Sequence, residues 1–219
     1  MSLRSRPALT RVLPFAVYIG FLVAESAAGN RVDGRWLYAT QVVVVAALLA
    51  YCWPVYHELR RPQKTRALDW ALGLALGAVV FVVWIHLDFP WAQFGSGRNV
   101  APDLTGGAAL AGFAVRVLGV VALVPVMEEL FWRSFLMRWL DNHDFLAVAP
   151  AAVSWRSLAL SCVVFGMEHH LWLAGIVAGI GYGWLYKHTG NLRVVVLAHA
   201  VTNAALEIWV VRTGNWHFL

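Results

Sequence analysis

The sequence predicts an all-α polytopic membrane protein, a bundle of about seven transmembrane helices (six to eight) in a single domain over residues 1–219. Hydrophobic residues make up 60% of the chain and charged residues only 13%, whereas soluble domains have about 25% charged residues. The mean hydropathy is +0.65. A soluble domain of this length cannot hide so much apolar surface, so the lipid bilayer is the natural solvent.

Seven apolar runs follow one another along the chain. Several approach the roughly 20 residues that a helix needs to cross the hydrocarbon core. The run 109–140 would be about 48 Å long as a helix, and we expect it to bend at Pro125. Residues 157–187 are short for two full crossings, so we expect a broken or re-entrant pair there. The predicted spans cover residues 12–28, 36–56, 69–87, 109–140, 157–170, 171–187 and 193–211.

Basic residues predict the orientation of the bundle. Lys and Arg in short loops mark the cytoplasmic side of a membrane, and here they cluster before the first span and at 60–66. The N-terminus is therefore expected in the cytoplasm. Arg outnumbers Lys fifteen to two, as in GC-rich bacterial genomes, so the chain is expected in a bacterial inner membrane. The loop 88–108 carries a single base, Arg98, as suits the outer face. This loop bias explains the net charge of +5, so no nucleic-acid partner is expected.

The first ionisable cluster lies deep in the 109–140 run. Ionisable side chains at membrane depth are costly and rare, so each needs a partner or a function. Arg133 follows Glu129 by four residues and shares its helix face, while Glu128 points about 100° away. We therefore expect Arg133 to neutralise Glu129 and to leave Glu128 free for acid–base chemistry. The alternative is a structural Glu–Arg pair that joins helices.

The second cluster follows Phe165 in the 157–187 run. A neutral imidazole such as that of His169 can bind a metal, activate water or simply donate a hydrogen bond at this depth. Its neighbour Glu168 either supports it or is the polar residue of a tight turn. His170 is expected to face away.

The third cluster is a polar stripe on the last span. His199, Asn203 and Glu207 are four residues apart and so share one slowly drifting helix face. A histidine and an asparagine aimed into one cavity can donate hydrogen bonds to a developing oxyanion. The alternative is polar packing between helices. Glu207 either orients the stripe from behind or has a separate partner.

The helix rise indicates whether the three clusters can meet. Counted from the expected cytoplasmic helix ends, Glu128, His169 and His199 lie about 18, 18 and 9 Å into the membrane. These depths fall in the cytoplasmic half or near the midplane. They predict one shared cavity that opens toward the cytoplasm.

Together the clusters resemble the motifs of the CPBP intramembrane proteases, the family of CAAX prenyl proteases and bacteriocin-processing enzymes. Glu-Glu-x-x-x-Arg at 128–133, Phe-x-x-x-His at 165–169 and His-x-x-x-Asn at 199–203 occur in the family's order. The resemblance covers residues 105–211, the expected catalytic core. The length and the early spans also resemble the bacterial subgroup associated with exosortase systems.

The resemblance implies a role for each motif residue. Glu128 and His169 would activate the attacking water, while His199 and Asn203 would hold the scissile carbonyl and stabilise its oxyanion. The supporting residues would be Glu129 and Arg133. Glu207 is a further candidate for support, from its position on the polar stripe alone.

The resemblance also raises the question of a metal. Glu128, His169 and His199 could hold zinc. However, no His-Glu-x-x-His motif is present, and a metal-free, glutamate-activated water explains the same residues. No cofactor is therefore expected, with zinc as the alternative.

The expected function is that of an intramembrane endopeptidase. It would hydrolyse a peptide bond near the C-terminus of a membrane-associated or lipidated substrate, with that substrate and the bilayer as its partners. One alternative is a proton-coupled transporter in which the buried carboxylates and His169 relay protons. Duplicated halves would favour a transporter, and none are visible. The other alternative is a non-catalytic scaffold or immunity relative.

Overall fold

A computed structural model describes residues 3–29, 34–61, 64–95 and 105–218, which form a helical bundle without strands. Arg98, the base expected in the outer loop, lies outside these residues. The seven main helices are α1 (Pro7–Ala28), α2 (Gly34–Cys52), α3 (Ala67–His86), α4 (Gly107–Trp139), α5 (Trp155–Met167), α6 (Trp172–Thr189) and α7 (Leu192–Thr213). Single helical turns lie at Leu3–Ser5, Trp53–Val55, His57–Arg60, Pro90–Ala92, Phe145–Ala147, Pro150–Ala152 and Trp216–Phe218.

Five of these helices, α1, α2, α3, α4 and α7, are long and apolar enough to cross a membrane. This confirms the predicted all-α membrane bundle. The 13 residues of α5 span only about 20 Å, too short for a crossing. α5 and α6 pack antiparallel, since Gly166 meets Gly175 while Cys162 meets Gly179. The pair is a helical hairpin whose tip, residues 168–171, carries the second ionisable cluster.

Hydrogen bonds tie the basic segments together on one side of the bundle, which we call the basic face. The Arg4 guanidinium donates to the carbonyl of Tyr51 at the end of α2. At the start of α7, Arg193 donates to the carbonyls of Leu59 and Arg61. The end of α6 and the loop 140–154 join the same face through Lys187, which donates to the carbonyls of Ala151 and Val153.

The other side of the bundle, which we call the opposite face, is held by different contacts. His217 Nε2 lies 2.9 Å from Asp88 Oδ2, which joins the C-terminal turn to the segment after α3. The backbone N–H of Phe94 donates to the carbonyl of His170 at 2.9 Å. The tip of the α5–α6 hairpin therefore reaches toward the opposite face.

Helix α4 widens on both sides of the Glu128–Glu129 pair. Two π-helical segments, Gly119–Leu123 and Leu130–Leu136, flank the regular turn Val124–Glu129. Pro125 has no amide N–H, and its ring crowds the preceding turn, so the wider turn before it relieves the conflict. The bend expected at Pro125 is thus a pair of π segments, a feature frequently found at functional sites.

Glycines allow α3 and α7 to approach closely beside the third cluster. A Cβ at Gly77 would lie 2.4 Å from the carbonyl oxygen of Ala198 and 2.9 Å from Cβ of Val201. A Cβ at Gly73 would lie 2.9 Å from the Val194 side chain. Small residues at four-residue spacing are typical of tightly packed membrane helices. This contact fixes the height of His199, the residue after Ala198.

We expect Gly77→Ala to lower the free energy of unfolding by about 1–3 kcal/mol, because the added methyl group overpacks the α3–α7 contact. Thermal unfolding in detergent micelles measures the effect. The matched control is Gly20→Ala in α1, where an added Cβ meets nothing within 4 Å. Equal unfolding midpoints for the two variants would contradict the close contact.

Asp141 fastens the loop between α4 and α5. Its carboxylate accepts hydrogen bonds from the Ser154 backbone N–H at 2.7 Å and from the hydroxyls of Ser154 and Ser157 at 2.6 Å. Burial raises the pKa of Asp141, but these hydrogen bonds outweigh it and hold the pKa below its ordinary value.

A depressed pKa in the folded state makes the Asp141 contribution depend on pH. The contribution is present above the ordinary aspartate pKa of about 3.9 and is lost as the pH falls through the lower folded-state pKa. We therefore expect Asp141→Asn to lower stability near neutral pH and to flatten the acid limb of the stability curve. Thermal unfolding over a pH series measures both effects. An acid limb as steep as in the wild type would contradict this role.

Candidate active site

Glu129 is the fixed centre of the site. Its side chain is 0% exposed, and its Oε1 lies 3.1 Å from Arg133 Nη1 and 2.8 Å from His199 Nδ1. Arg133 therefore pairs with Glu129, as the four-residue spacing predicted. The bond to His199 joins the first and third motifs directly, and no spacing within one helix could have revealed it.

Glu128 is held differently from its neighbour. The residue is 6% exposed, and its Oε2 has no hydrogen-bond partner among the described residues. His199 Nε2 lies 3.9 Å from this oxygen, which is too far for a hydrogen bond. An unpaired carboxylate oxygen is costly to bury, so Glu128 is oriented toward a ligand or water in the cavity rather than toward the protein.

The histidine of the second motif is oriented by the phenylalanine of that motif. His169 Nδ1 lies 2.7 Å from the Phe165 carbonyl oxygen. A carbonyl only accepts hydrogen bonds, so Nδ1 carries the hydrogen and Nε2 keeps its lone pair for water or a ligand. The ring packs edge-on against Trp84 with a centroid distance of 5.4 Å.

The His199 ring is held by stacking as well as by its hydrogen bond to Glu129. Its ring stacks on Tyr182 with a centroid distance of 5.0 Å and an interplanar angle of 21°. The Tyr182 hydroxyl donates to Thr202 Oγ1 at 2.6 Å, and Thr202 donates to the Gly77 carbonyl at 2.9 Å. The α3–α7 contact and the imidazole are thus connected through Tyr182, which hydrogen bonds to Thr202 and stacks on the His199 ring.

Asn203 is positioned by the irregular part of α4. Its Nδ2 donates to the Val120 carbonyl at 2.9 Å, and Val120 belongs to the first π-helical segment. A π turn leaves backbone carbonyls free for side-chain donors. One amide hydrogen is engaged in this bond, so the second remains for a ligand.

One cavity brings together the four residues predicted to be catalytic. It has a volume of about 440 Å³, within the usual range for small-ligand sites. Glu129 and Arg133 lie behind its wall. The four that line it are Glu128, His169, His199 and Asn203.

Glu207 does not share this cavity. Its carboxylate lies 2.9 Å from Arg116 Nη1, across the contact between α7 and α4. Of the two interpretations of Glu207, the structure agrees with a separate partner. On the polar stripe of α7, His199 and Asn203 therefore line the cavity and Glu207 does not.

The hairpin tip adds side chains that sequence reasoning left without a site. Ligand atoms of Glu128, Glu168 and His169 lie within 4.8 Å of one another, close enough to hold a metal ion. The zinc set expected from the sequence contained His199 instead of Glu168. His199 Nδ1 bonds to Glu129 at 2.8 Å, and its Nε2 lies 3.9 Å from Glu128 Oε2. The zinc set that includes His199 therefore stays a prediction. His170, expected to face away, bonds to Phe94 and lines the cavity.

The residues that line the cavity extend mainly to one side of the site. Depth counting predicted an opening toward the cytoplasm, the side that the basic residues mark. The lining instead extends from Glu128 and His199 toward the opposite face, where it includes Trp84, His170 and Phe218. Helix rise gives depths but not the helix tilts that decide which end of a cavity is filled, so the opening toward the cytoplasm stays a prediction.

Comparison with protein-family models matches residues 110–205 to an Rce1-like family, described as type II CAAX prenyl endopeptidase Rce1-like. No curated protein and no solved structure matches the chain. The matched segment contains all three motifs, from Glu128 to Asn203. The match confirms the resemblance of the motifs to the CPBP family of intramembrane endopeptidases, while the exosortase-associated subgroup stays a prediction. Residues 110–205 of this chain are thus similar to the type II CAAX prenyl endopeptidases of the Rce1-like family.

Proposed function

We propose that this protein hydrolyses a peptide bond near the membrane-proximal C-terminus of a membrane-associated or lipidated protein, in a bacterial inner membrane. The observation that carries the proposal is the unpartnered Oε2 of Glu128. It shares one cavity with the His169 ring and with the donors of His199 and Asn203. A base, a water-binding imidazole and two donors are the groups that peptide hydrolysis requires.

In the proposed reaction, Glu128 and His169 hold a water molecule between them. Glu128 takes one proton as the water oxygen attacks the carbonyl carbon, so a C–O bond forms and the C=O π electrons move onto oxygen. His199 and Asn203 donate hydrogen bonds to this oxyanion. When the intermediate collapses, the C–N bond breaks and the nitrogen receives the proton held by Glu128.

The hydrogen bond to Glu129 defines how His199 takes part. Its Nδ1 hydrogen bonds to the Glu129 carboxylate, so Nε2 donates only when the ring carries both protons. Two carboxylates, Glu128 and Glu129, then face two cations, Arg133 and His199. This balance suits a site with little water, where unpaired charge is costly.

The site also contains donors that fit a divalent metal ion. Glu128, Glu168 and His169 would hold it, since two carboxylates and an imidazole form an ordinary ligand set. When bound, the metal would lower the pKa of a coordinated water and polarise the carbonyl. We propose the metal-free reaction, because Glu128 with His169 provides the base and His199 with Asn203 provides the oxyanion donors.

Metal analysis separates the two reactions. We expect protein stripped with a chelator to retain cleavage, and Glu168→Gln to remain active, because Glu168 takes no part in the metal-free reaction. Elemental analysis of the purified chain and a cleavage assay measure both. Stoichiometric zinc that disappears together with activity in Glu168→Gln or His169→Ala would contradict the metal-free reaction.

A comparison of protein C-termini tests the proposed function. Membrane fractions from wild-type cells and from cells with Glu128→Ala would be compared by C-terminal proteomics. We expect a set of membrane-anchored proteins to carry longer C-termini in the variant. Both forms must be present at equal abundance in the membrane. Identical C-termini in the two strains would contradict the proposal.

A further inference from the structure

On every long helix that contributes to the active-site cavity, the lining residues lie toward the opposite face. On α1 it uses Tyr18, Ile19 and Leu22, all in the half that leads to the opposite face. On α4 it uses Val120 and Val124, which precede Glu128. α4 runs toward the basic face, so these residues also lie on the opposite-face side of the site.

The lining residues of α7, α3 and the hairpin tip also lie toward the opposite face. Leu206 follows Asn203 on α7, and Phe218 lies in the turn beyond the helix. Trp84 is near the end of α3, and His170 is at the hairpin tip, bonded to Phe94. The residues around the outer end of the cavity thus come from segments that the His217–Asp88 contact ties together at the opposite face.

Aromatic residues close the route from the basic face. Phe15 of α1 stacks on Phe131 of α4 with a centroid distance of 4.0 Å and an interplanar angle of 6°. Trp132 is 3% exposed and packs edge-on against Phe165 at 5.6 Å. These rings lie on α4 one turn beyond Glu128, between the site and the basic face.

A buried ion pair fills the space further toward the basic face. Arg11 is 1% exposed and donates to both carboxylate oxygens of Glu58 at 2.8 Å. It also donates to Ser134 Oγ at 3.1 Å. Breaking such a pair leaves buried charge and is strongly destabilising, so a peptide cannot pass this way without local unfolding.

The charges of the described residues identify the two faces. The opposite-face side of the bundle carries Arg35, Arg212 and the partly exposed Arg116, while Arg133 is buried beside the site. Such an asymmetry places the basic face in the cytoplasm. Besides the buried Arg11 and Arg138, the basic face carries Arg4, Arg6, Arg60, Arg61, Lys64, Arg66, Arg156, Lys187 and Arg193.

We propose that the substrate reaches this site from the extracytoplasmic side of the membrane. The scissile bond then lies in the outer, membrane-proximal segment of an exported and membrane-anchored protein, rather than in a lipidated tail that faces the cytoplasm. The identity of the substrate rests on the proposed peptidase function. The direction of access rests on the cavity lining and the charge asymmetry, so the two can be tested apart.

Cysteine accessibility tests the direction without any cleavage assay. Ile19 lines the cavity, is partly exposed and takes no part in the proposed reaction. A negatively charged, membrane-impermeant thiol reagent is added to spheroplasts or to inverted vesicles. We expect Ile19→Cys to react in spheroplasts together with Arg212→Cys, an exposed residue of the opposite face. Lys64→Cys, on the basic face, should react only in inverted vesicles.

Native Cys52 and Cys162 are buried, so the unmodified chain serves as the blank. Labelling of Ile19→Cys only in inverted vesicles, or from neither side, would overturn the proposal. Labelling of Arg212→Cys only in inverted vesicles would overturn it as well, because the orientation would be reversed.

A pair of reporters then tests the substrate class. Each is a single-span protein with the same randomised membrane-proximal segment, placed on the outer side in one reporter and on the inner side in the other. Glu128-dependent cleavage of the outer reporter alone supports the proposal, and cleavage of the inner reporter alone overturns it. Cleavage of neither counts against the peptidase function, and the cysteine result then decides the direction of access.

Discussion

Glu128→Gln is expected to reduce the rate of peptide cleavage by a factor of about 10²–10⁴, the range that a general base contributes. Glutamine has nearly the same shape, so the substrate is still bound, but its amide cannot take a proton from water. We therefore expect kcat to fall while KM changes little. The measurement is cleavage of a membrane-anchored peptide by the purified protein in proteoliposomes.

The stability of the same variant separates catalysis from structure. Among the described residues Glu128 Oε2 has no hydrogen-bond partner, so Glu128→Gln breaks no hydrogen bond at this atom and should leave the unfolding midpoint unchanged or raise it. The neighbouring variant Glu129→Gln should lower it, because it weakens a buried pair with Arg133 and a bond to His199. A destabilised Glu128→Gln that keeps its activity would show that Glu128 is structural.

The helices of this bundle were predictable because each is a continuous apolar run. The predicted span 69–87 corresponds to Ala67–His86, and the divided run 157–187 corresponds to the hairpin of Trp155–Met167 and Trp172–Thr189. Bilayer thickness and hydropathy act on one helix at a time, so one sequence is enough to find these elements. The pairing of Arg133 with Glu129 was predictable for the same reason, since it follows from positions on one helix.

The parts of the site that sequence reasoning missed are contacts between helices. The bond from His199 to Glu129 and the bond from Asn203 to Val120 each join residues of α4 and α7. Glu168 approaches Glu128 only because the hairpin turns at 168–171. Such distances depend on helix tilt and on close approach at residues such as Gly77, which a helical period does not encode.

His199→Ala and Asn203→Leu are each expected to lower kcat by about 10²–10³, the usual cost of removing one donor to an oxyanion. Neither substitution changes the base, Glu128, so the transfer of a proton from water to Glu128 is preserved. Both donors act on one oxygen atom, so the double variant should lose less than the product of the two single losses. Cleavage rates of the three variants, at substrate concentrations above and below KM, measure this coupling.

A purely structural role for these side chains makes different predictions. Asn203 donates to the Val120 carbonyl, so leucine at this position also removes a hydrogen bond between α7 and α4. The unfolding midpoint must therefore be measured for each variant along with its cleavage rate. The matched control is Glu207→Gln, on the same stripe of α7 but outside the cavity. Its partner Arg116 is 29% exposed and can be solvated when the charge is removed. If Glu207→Gln lost as much activity as Asn203→Leu at equal stability, the loss would come from the stripe as a whole and not from an oxyanion site.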